Sequence, residues 1–116
     1  MAKTFGIHEV ELLPGVTTEE FENFANSEYN PFFTSEKVPF GIQSRIVKGD
    51  KGERNNQYAV VMEFPSVELR NEIAGTPPQE SPFDTEKSKE FFSAIEEIYN
   101  KFYELCKTTY TDYYEI

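Results

Sequence analysis

The chain has no tryptophan, one cysteine, one histidine, a shortage of basic residues and no long apolar run. Each shortage excludes a class of function. The single cysteine, Cys106, rules out an internal disulfide and a cysteine-based zinc site. Lys and Arg number 11 against 21 Asp and Glu, for a formal net charge of −10. A nucleic-acid backbone is bound by clustered cations that displace counterions, so nucleic acid is not an expected partner. The same deficit argues against an anionic membrane surface. No stretch approaches the roughly 20 apolar residues of a membrane-spanning helix, and MAKTFGIHEVEL at the start lacks the apolar core of a signal peptide. The expectation is a cytoplasmic protein with no metal and no cofactor.

Aromatic residues are abundant, with 11 Phe and 7 Tyr in 116 residues. Large rings bury much area each, so a single domain over residues 1–116 can build one core. The pattern centres on Gly41 to Pro65, where two alternating runs flank the polar connection Gly49 to Asn56, as in a β-hairpin with a long loop. The register that segregates charge sets Ile46 opposite Val60, Ser44 opposite Met62 and Ile42 opposite Phe64. It places Ile42, Ile46, Val60, Met62 and Phe64 on one face, with Tyr58 beside Lys48 at the rim. Gln43, Arg45, Val47, Ala59, Val61 and Glu63 fall on the other.

Thr4 to Leu13 reads as the first strand. His8, Val10 and Leu12 turn toward the helices. Phe5, Ile7, Glu9 and Glu11 take the open face, because unpaired carboxylates beneath helices are costly. Thr17-Thr18-Glu19-Glu20 is a capping-box signature. The helix it opens carries Phe21, Phe24, Ala25 and Tyr29 on one side, with Pro31 as its stop. Asn30 to Phe40 is a connector anchored by Phe32, Phe33 and Phe40. Ser66 caps a short helix that Gly75 ends, and Thr76 to Pro82 is a proline-rich surface loop. Asp84 or Thr85 caps the longest helix, which is expected to reach Cys106. Its Phe91, Ile95, Ile98, Phe102 and Leu105 recur at helical spacing. Thr108 to Ile116 is the last strand, rich in Tyr and Thr.

The element order β-α-β-β-α-β with right-handed crossovers gives an α+β fold. Its antiparallel sheet has spatial order 4-1-3-2 with both helices on one face, the ferredoxin-like arrangement. The bare face would expose Phe5, Ile7, Val47, Val61 and Tyr113. Such a patch needs a partner, and a second copy packed face to face is the economical one.

Four motifs carry a family resemblance: His8-Glu9-x-Glu11-Leu12-x-Pro14-Gly15-Val16; Lys48-Gly49-Asp50-Lys51-Gly52-Glu53-Arg54 with Tyr58 and Glu63-Phe64; Ser66-Val67-Glu68-x-Arg70; and Tyr110-Thr111-Asp112-Tyr113. Together they resemble small uncharacterised bacterial proteins of the dimeric α-β barrel superfamily, over nearly the whole chain. The resemblance implies two ferredoxin-like sheets packed into a barrel. It also implies kinship with cofactor-independent monooxygenases, lactone isomerases, haem-binding and haem-degrading proteins and stress-responsive proteins. The Asn-Trp-Trp set of the antibiotic-biosynthesis monooxygenases is absent, since the chain has no Trp. The helix-borne histidine of the haem enzymes has no counterpart, because His8 falls on a strand.

Strands one and three are read as parallel neighbours, which brings Glu11 near Glu63 with Arg45 diagonal to it. Close carboxylates raise one pKa toward neutrality and make a proton donor or acceptor. The alternative is an ion pair of Arg45 with Glu63 inside a dimer cavity. Glu9, Glu11, Gln43, Arg45 and Glu63 are the ligand-binding candidates, and Glu11, Arg45 and Glu63 the catalytic ones. No third ligand is spaced to complete a divalent-cation site. His8 titrates near neutrality when unperturbed, and its apolar neighbours favour a core or rim position over a catalytic base. Lys48 to Arg54 reads as a mobile hairpin loop rather than an anion nest. Three functions follow. The first is a homodimer enclosing a small, partly apolar molecule. The second is a cofactor-independent monooxygenase or isomerase, with Glu63 or Glu11 as base and Arg45 steadying an enolate. The third is a dimer with a filled interior and no ligand.

Overall fold

A computed structural model describes residues 2–77 and 85–116. Helix starts are fixed by side-chain oxygens. Thr17 Oγ1 accepts the Glu20 N–H at 3.1 Å, Ser66 Oγ that of Leu69 at 3.1 Å, and Thr85 Oγ1 that of Ser88 at 3.0 Å. Each satisfies a donor that has no partner within its own helix. The helices so begun are α1 (Thr18–Phe24), α3 (Val67–Ala74) and α4 (Glu86–Leu105). The alternative cap Asp84, and the expected surface loop beyond Pro77, lie outside the described residues.

Pro31 does not stop the first helix, contrary to expectation. The chain passes from α1 through a π turn, Ala25–Tyr29, into α2 (Asn30–Phe33). The π turn closes with the Asn30 N–H on the Ala25 carbonyl. Proline then enters in the first turn of α2, where its missing N–H sacrifices no helical bond. The widened turn has a tertiary purpose. It lets Tyr29 and Asn30, adjacent in sequence, both reach the strand that follows. The Tyr29 hydroxyl meets Ser44 Oγ at 2.9 Å. Asn30 Oδ1 accepts the Ile46 N–H at 2.7 Å, and its Nδ2 donates to the Ile46 carbonyl at 3.2 Å.

The strands are β1 (Thr4–Leu12), β2 (Gln43–Lys48), β3 (Tyr58–Phe64) and β4 (Cys106–Tyr114). They lie in the order β2-β3-β1-β4, the expected order seen from the other edge. The hairpin register is the expected one, with Ile46 opposite Val60 and Ser44 opposite Met62. Ile42 falls just before β2 yet is only 2 % exposed. One expectation fails: β1 and β3 are antiparallel. The crossover through α1 returns the chain parallel to β1, and the hairpin then reverses it, so β3 must oppose β1.

β4 also begins earlier than expected. Cys106 pairs with Leu12 and opens the strand, so it does not end the helical stripe. It is buried all the same, its Sγ donating to the Phe102 carbonyl at 3.4 Å, and burial pushes the thiol up to about 12. The core fills the layer between sheet and helices. Phe21, Phe91, Ile95 and Phe102 from the helices meet Ile46, Val60 and Phe64 from the sheet. Each such side chain contributes about 1.5–3 kcal/mol when fully buried.

Asn30→Ala removes both bonds to Ile46 and leaves its N–H without that acceptor. The expected cost is about 1–3 kcal/mol, read as a lower urea midpoint at unchanged slope.

Candidate functional site

Cross-strand pairing arranges the side chains opposite the helices in rows. One row holds Gln43, Glu63, Phe5 and Tyr113; the next Arg45, Val61, Ile7 and Thr111; the next Val47, Ala59, Glu9 and Thr109. Glu11 lies beyond, opposite Lys107. The middle of this open face is apolar, with Val47 37 % and Tyr113 55 % exposed. Its charges sit toward opposite ends.

The antiparallel pairing separates the expected catalytic acids. Glu63 is level with Phe5, six residues before Glu11 on β1, which strand geometry converts to roughly 20 Å. The two carboxylates cannot share a proton. Glu63 instead pairs with Lys3 at 3.4 Å, and Glu11 with Lys107 at 2.9 Å. Arg45 stands diagonal to Glu63 as expected but does not form the expected ion pair with it. Its guanidinium donates to Gln43 Oε1 at 3.4 Å.

Glu9 is the candidate that lies in a concavity. Its carboxylate meets Arg54 at 2.8 Å, and the same guanidinium donates to the Tyr58 carbonyl at 2.9 Å. Arg54 arrives there because the hairpin loop doubles back on itself. The Gly49 N–H donates to Gln57 O at 2.7 Å and the Asn56 N–H to Gly49 O at 2.8 Å. The fit is so close that a Cβ on Gly49 would stand 2.0 Å from the Arg54 carbonyl oxygen. The space between loop and sheet is about 460 Å³, walled by Ile7, Val47, Ala59 and Tyr113, with Thr109 and the Glu9–Arg54 pair at its polar end. Such a space suits a small molecule with one apolar and one polar end.

The hairpin is also tied to α1. The Tyr58 hydroxyl donates to Glu22, and Lys48 Nζ lies 3.0 Å from the same carboxylate. These two bonds hold the Glu22 carboxyl below its usual range. Burial, aided by Glu22, pushes the Tyr58 phenol up to about 12.

On the helix face a second polar group converges at Gly6. A Cβ there would stand 3.0 Å from Asp112 Oδ1 and 3.5 Å from His8 Nε2. Asp112 Oδ2 accepts from Arg70 at 2.7 Å, and Arg70 Nε donates to Asn71 Oδ1 at 3.0 Å. Arg70 is only 6 % exposed, so this ion pair holds α3 against β4 from within. His8 is half-buried and stacks on Tyr110 with ring centres 5.2 Å apart. Burial lowers its pKa below the ordinary 6.5, and the Asp112 carboxylate opposes that shift.

Sequence reasoning missed Arg54, Arg70 and Asp112 as partners. The signal for the last two was present. Asp112 shares the inward parity of Thr108 and Tyr110, and an acid turned inward demands a cation. Arg54 had no such signal, because only the close approach at Gly49 carries it to Glu9.

No protein-family model matches the chain, and no curated protein does. Solved structures do. The chain is similar to the At3g17210 protein of Arabidopsis thaliana, at 15% identity and a TM-score of 0.55, covering 97% of this chain and 95% of that one. It is also similar to a dimeric protein of unknown function and ferredoxin-like fold from Bacteroides fragilis, at 17% identity and a TM-score of 0.54, covering 96% and 94%. The fold is therefore ferredoxin-like, with the four-stranded sheet and one-sided helices of half an α-β barrel.

Two outcomes check this description. Gly49→Ala should displace the loop and break the Glu9–Arg54 pair, seen as loss of hydrogen-exchange protection at Asn56 and Gln57. The imidazole of His8 should titrate below 6.5 by NMR, and lower still in Asp112→Asn. The folded chain holds that proton less tightly than the unfolded one. The stability contributed by His8 is thus complete above pH 6.5 and declines as pH falls through it toward the folded midpoint.

Proposed function

We propose that this protein is a homodimer that packs two open sheet faces together and holds a small, partly apolar molecule between them. The observation that carries this reading is the apolar block of Phe5, Ile7, Val47, Ala59 and Val61 on the face opposite the helices. A contiguous patch of this kind is costly to leave in water, and a two-fold copy offers a matching apolar surface. The Bacteroides fragilis protein, described as dimeric, supports the same assembly. Glu9 and Arg54 supply the polar contacts at one end of the cavity, and Gln43, Arg45 and Glu63 those at the other. Glu11 with Lys107 borders the rim.

The catalytic alternative, with Glu11 or Glu63 as base and Arg45 beside it, loses its support because the two acids do not meet. Among the described residues no helix is long and apolar enough to cross a membrane. Among the same residues, no group of three His, Cys, Asp or Glu is placed to hold a metal ion. The cytoplasm is the proposed compartment, on the single cysteine and the absence of disulfide chemistry.

Light scattering on the purified protein should give twice the chain mass. Ile7→Asp, in the middle of the face, should weaken association by about tenfold or more with an unchanged far-ultraviolet spectrum. A wild-type protomer that stays single at micromolar concentration refutes the assembly. The apolar dye anilinonaphthalene sulfonate should brighten with the wild-type dimer and less with Arg54→Gln. A dimer that leaves the dye dark has a filled interior, and the binding half of the reading then fails.

A further inference from the structure

The sheet has two edges, β2 and β4, and they are finished differently. On β2 the outward N–H and C=O of Ile46 are both taken by the Asn30 side chain, at 2.7 and 3.2 Å. Such a seal stops an edge from templating another strand. Among the described residues β4 pairs with β1 alone. The Leu13 N–H on Leu105 O and the Glu115 N–H on Lys3 O, each at 2.9 Å, fix its parity. Odd-numbered residues of β4 turn their backbone groups to β1, so Thr108, Asp112 and Tyr114 turn theirs outward. The strand is nine residues long, exposed from Thr109 onward, and holds neither proline nor glycine.

We propose that β4 pairs edge to edge with β4 of a second copy, antiparallel about a two-fold axis through Thr111. A two-fold antiparallel pairing conserves parity, so outward groups meet outward groups. Charge selects the register. Centring on Thr111 sets Lys107 opposite the partner's Glu115, and by symmetry Glu115 opposite the partner's Lys107. The same register sets Thr109 opposite the partner's Tyr113 and Thr108 opposite the partner's Tyr114, pairs that suit a strand. Centring on Tyr110 would put Lys107 against the partner's Tyr113. Centring on Asp112 would carry Lys107 past the end of the chain. The pairing of opposite charges within one sequence marks a second copy as the occupant rather than an unrelated extended peptide. This contact uses a different surface from the open-face dimer, and the two together build a tetramer.

Oxidative trapping tests it. Thr111→Cys places its sulfur on the axis, at a non-hydrogen-bonded pair close enough for a disulfide, and should cross-link into a covalent dimer. Thr109→Cys should not, because its counterpart is the partner's Tyr113. Buried Cys106 does not compete. Lys107→Glu should lower the cross-linked fraction of Thr111→Cys by roughly tenfold, and adding Glu115→Lys should restore it. Within one chain these two residues lie roughly 26 Å apart along the strand, so rescue can come only from another copy. Trapping that survives Ile7→Asp separates this contact from the open-face dimer. No cross-link at Thr111→Cys, equal cross-linking at Thr109→Cys, loss of trapping in Ile7→Asp, or charge swaps without rescue each overturn the proposal.

Discussion

β1 is hydrogen-bonded along both flanks, to β3 and to β4, and its parity governs the rest of the sheet. Even positions send Thr4, Gly6, His8 and Val10 to the helices, and odd positions send Phe5, Ile7, Glu9 and Glu11 away from them. Neighbouring strands must follow, because paired residues share a face. A slip by one residue would bury two carboxylates and expose the apolar seam that α4 covers. The energetic gap between the two registers is what makes the sheet one-sided.

The covered side is not purely apolar, and its polar groups are placed to hold elements together. Ser88 Oγ donates to Ile73 O at 2.8 Å, joining α4 to α3. Tyr29 with Ser44 joins the first helical segment to β2, and Arg70 with Asp112 joins α3 to β4. Among the described residues no buried side-chain nitrogen or oxygen lacks a partner. Aromatic area supplies the driving force, and these few bonds select one packing from the many that rings alone would tolerate.

Much of this was legible in the chain. The hairpin register could be read because only one alignment separates Ile46, Val60 and Phe64 from Arg45 and Glu63. The Thr17, Ser66 and Thr85 caps could be read because their chemistry is local. The π turn could not, since what compensates the widened helix is a strand more than ten residues downstream. Strand direction was misjudged by treating neighbours in the sheet as if they followed the same crossover, and that error alone created the apparent meeting of Glu11 with Glu63. Arg54 was illegible for another reason. Its position depends on a backbone-to-backbone approach that leaves no periodic trace.

The five-residue turn at Ala25–Tyr29 has a further consequence for how this family of shapes could vary. It acts as a phase adjuster between α1 and α2. Excising one residue there would restore an ordinary helix and swing everything after it by about 100° around the axis. Phe33 would leave its niche and Asn30 would face solvent. The sheet would then have two unguarded borders instead of one, and chains that now stop at a finite size could grow into open-ended ribbons.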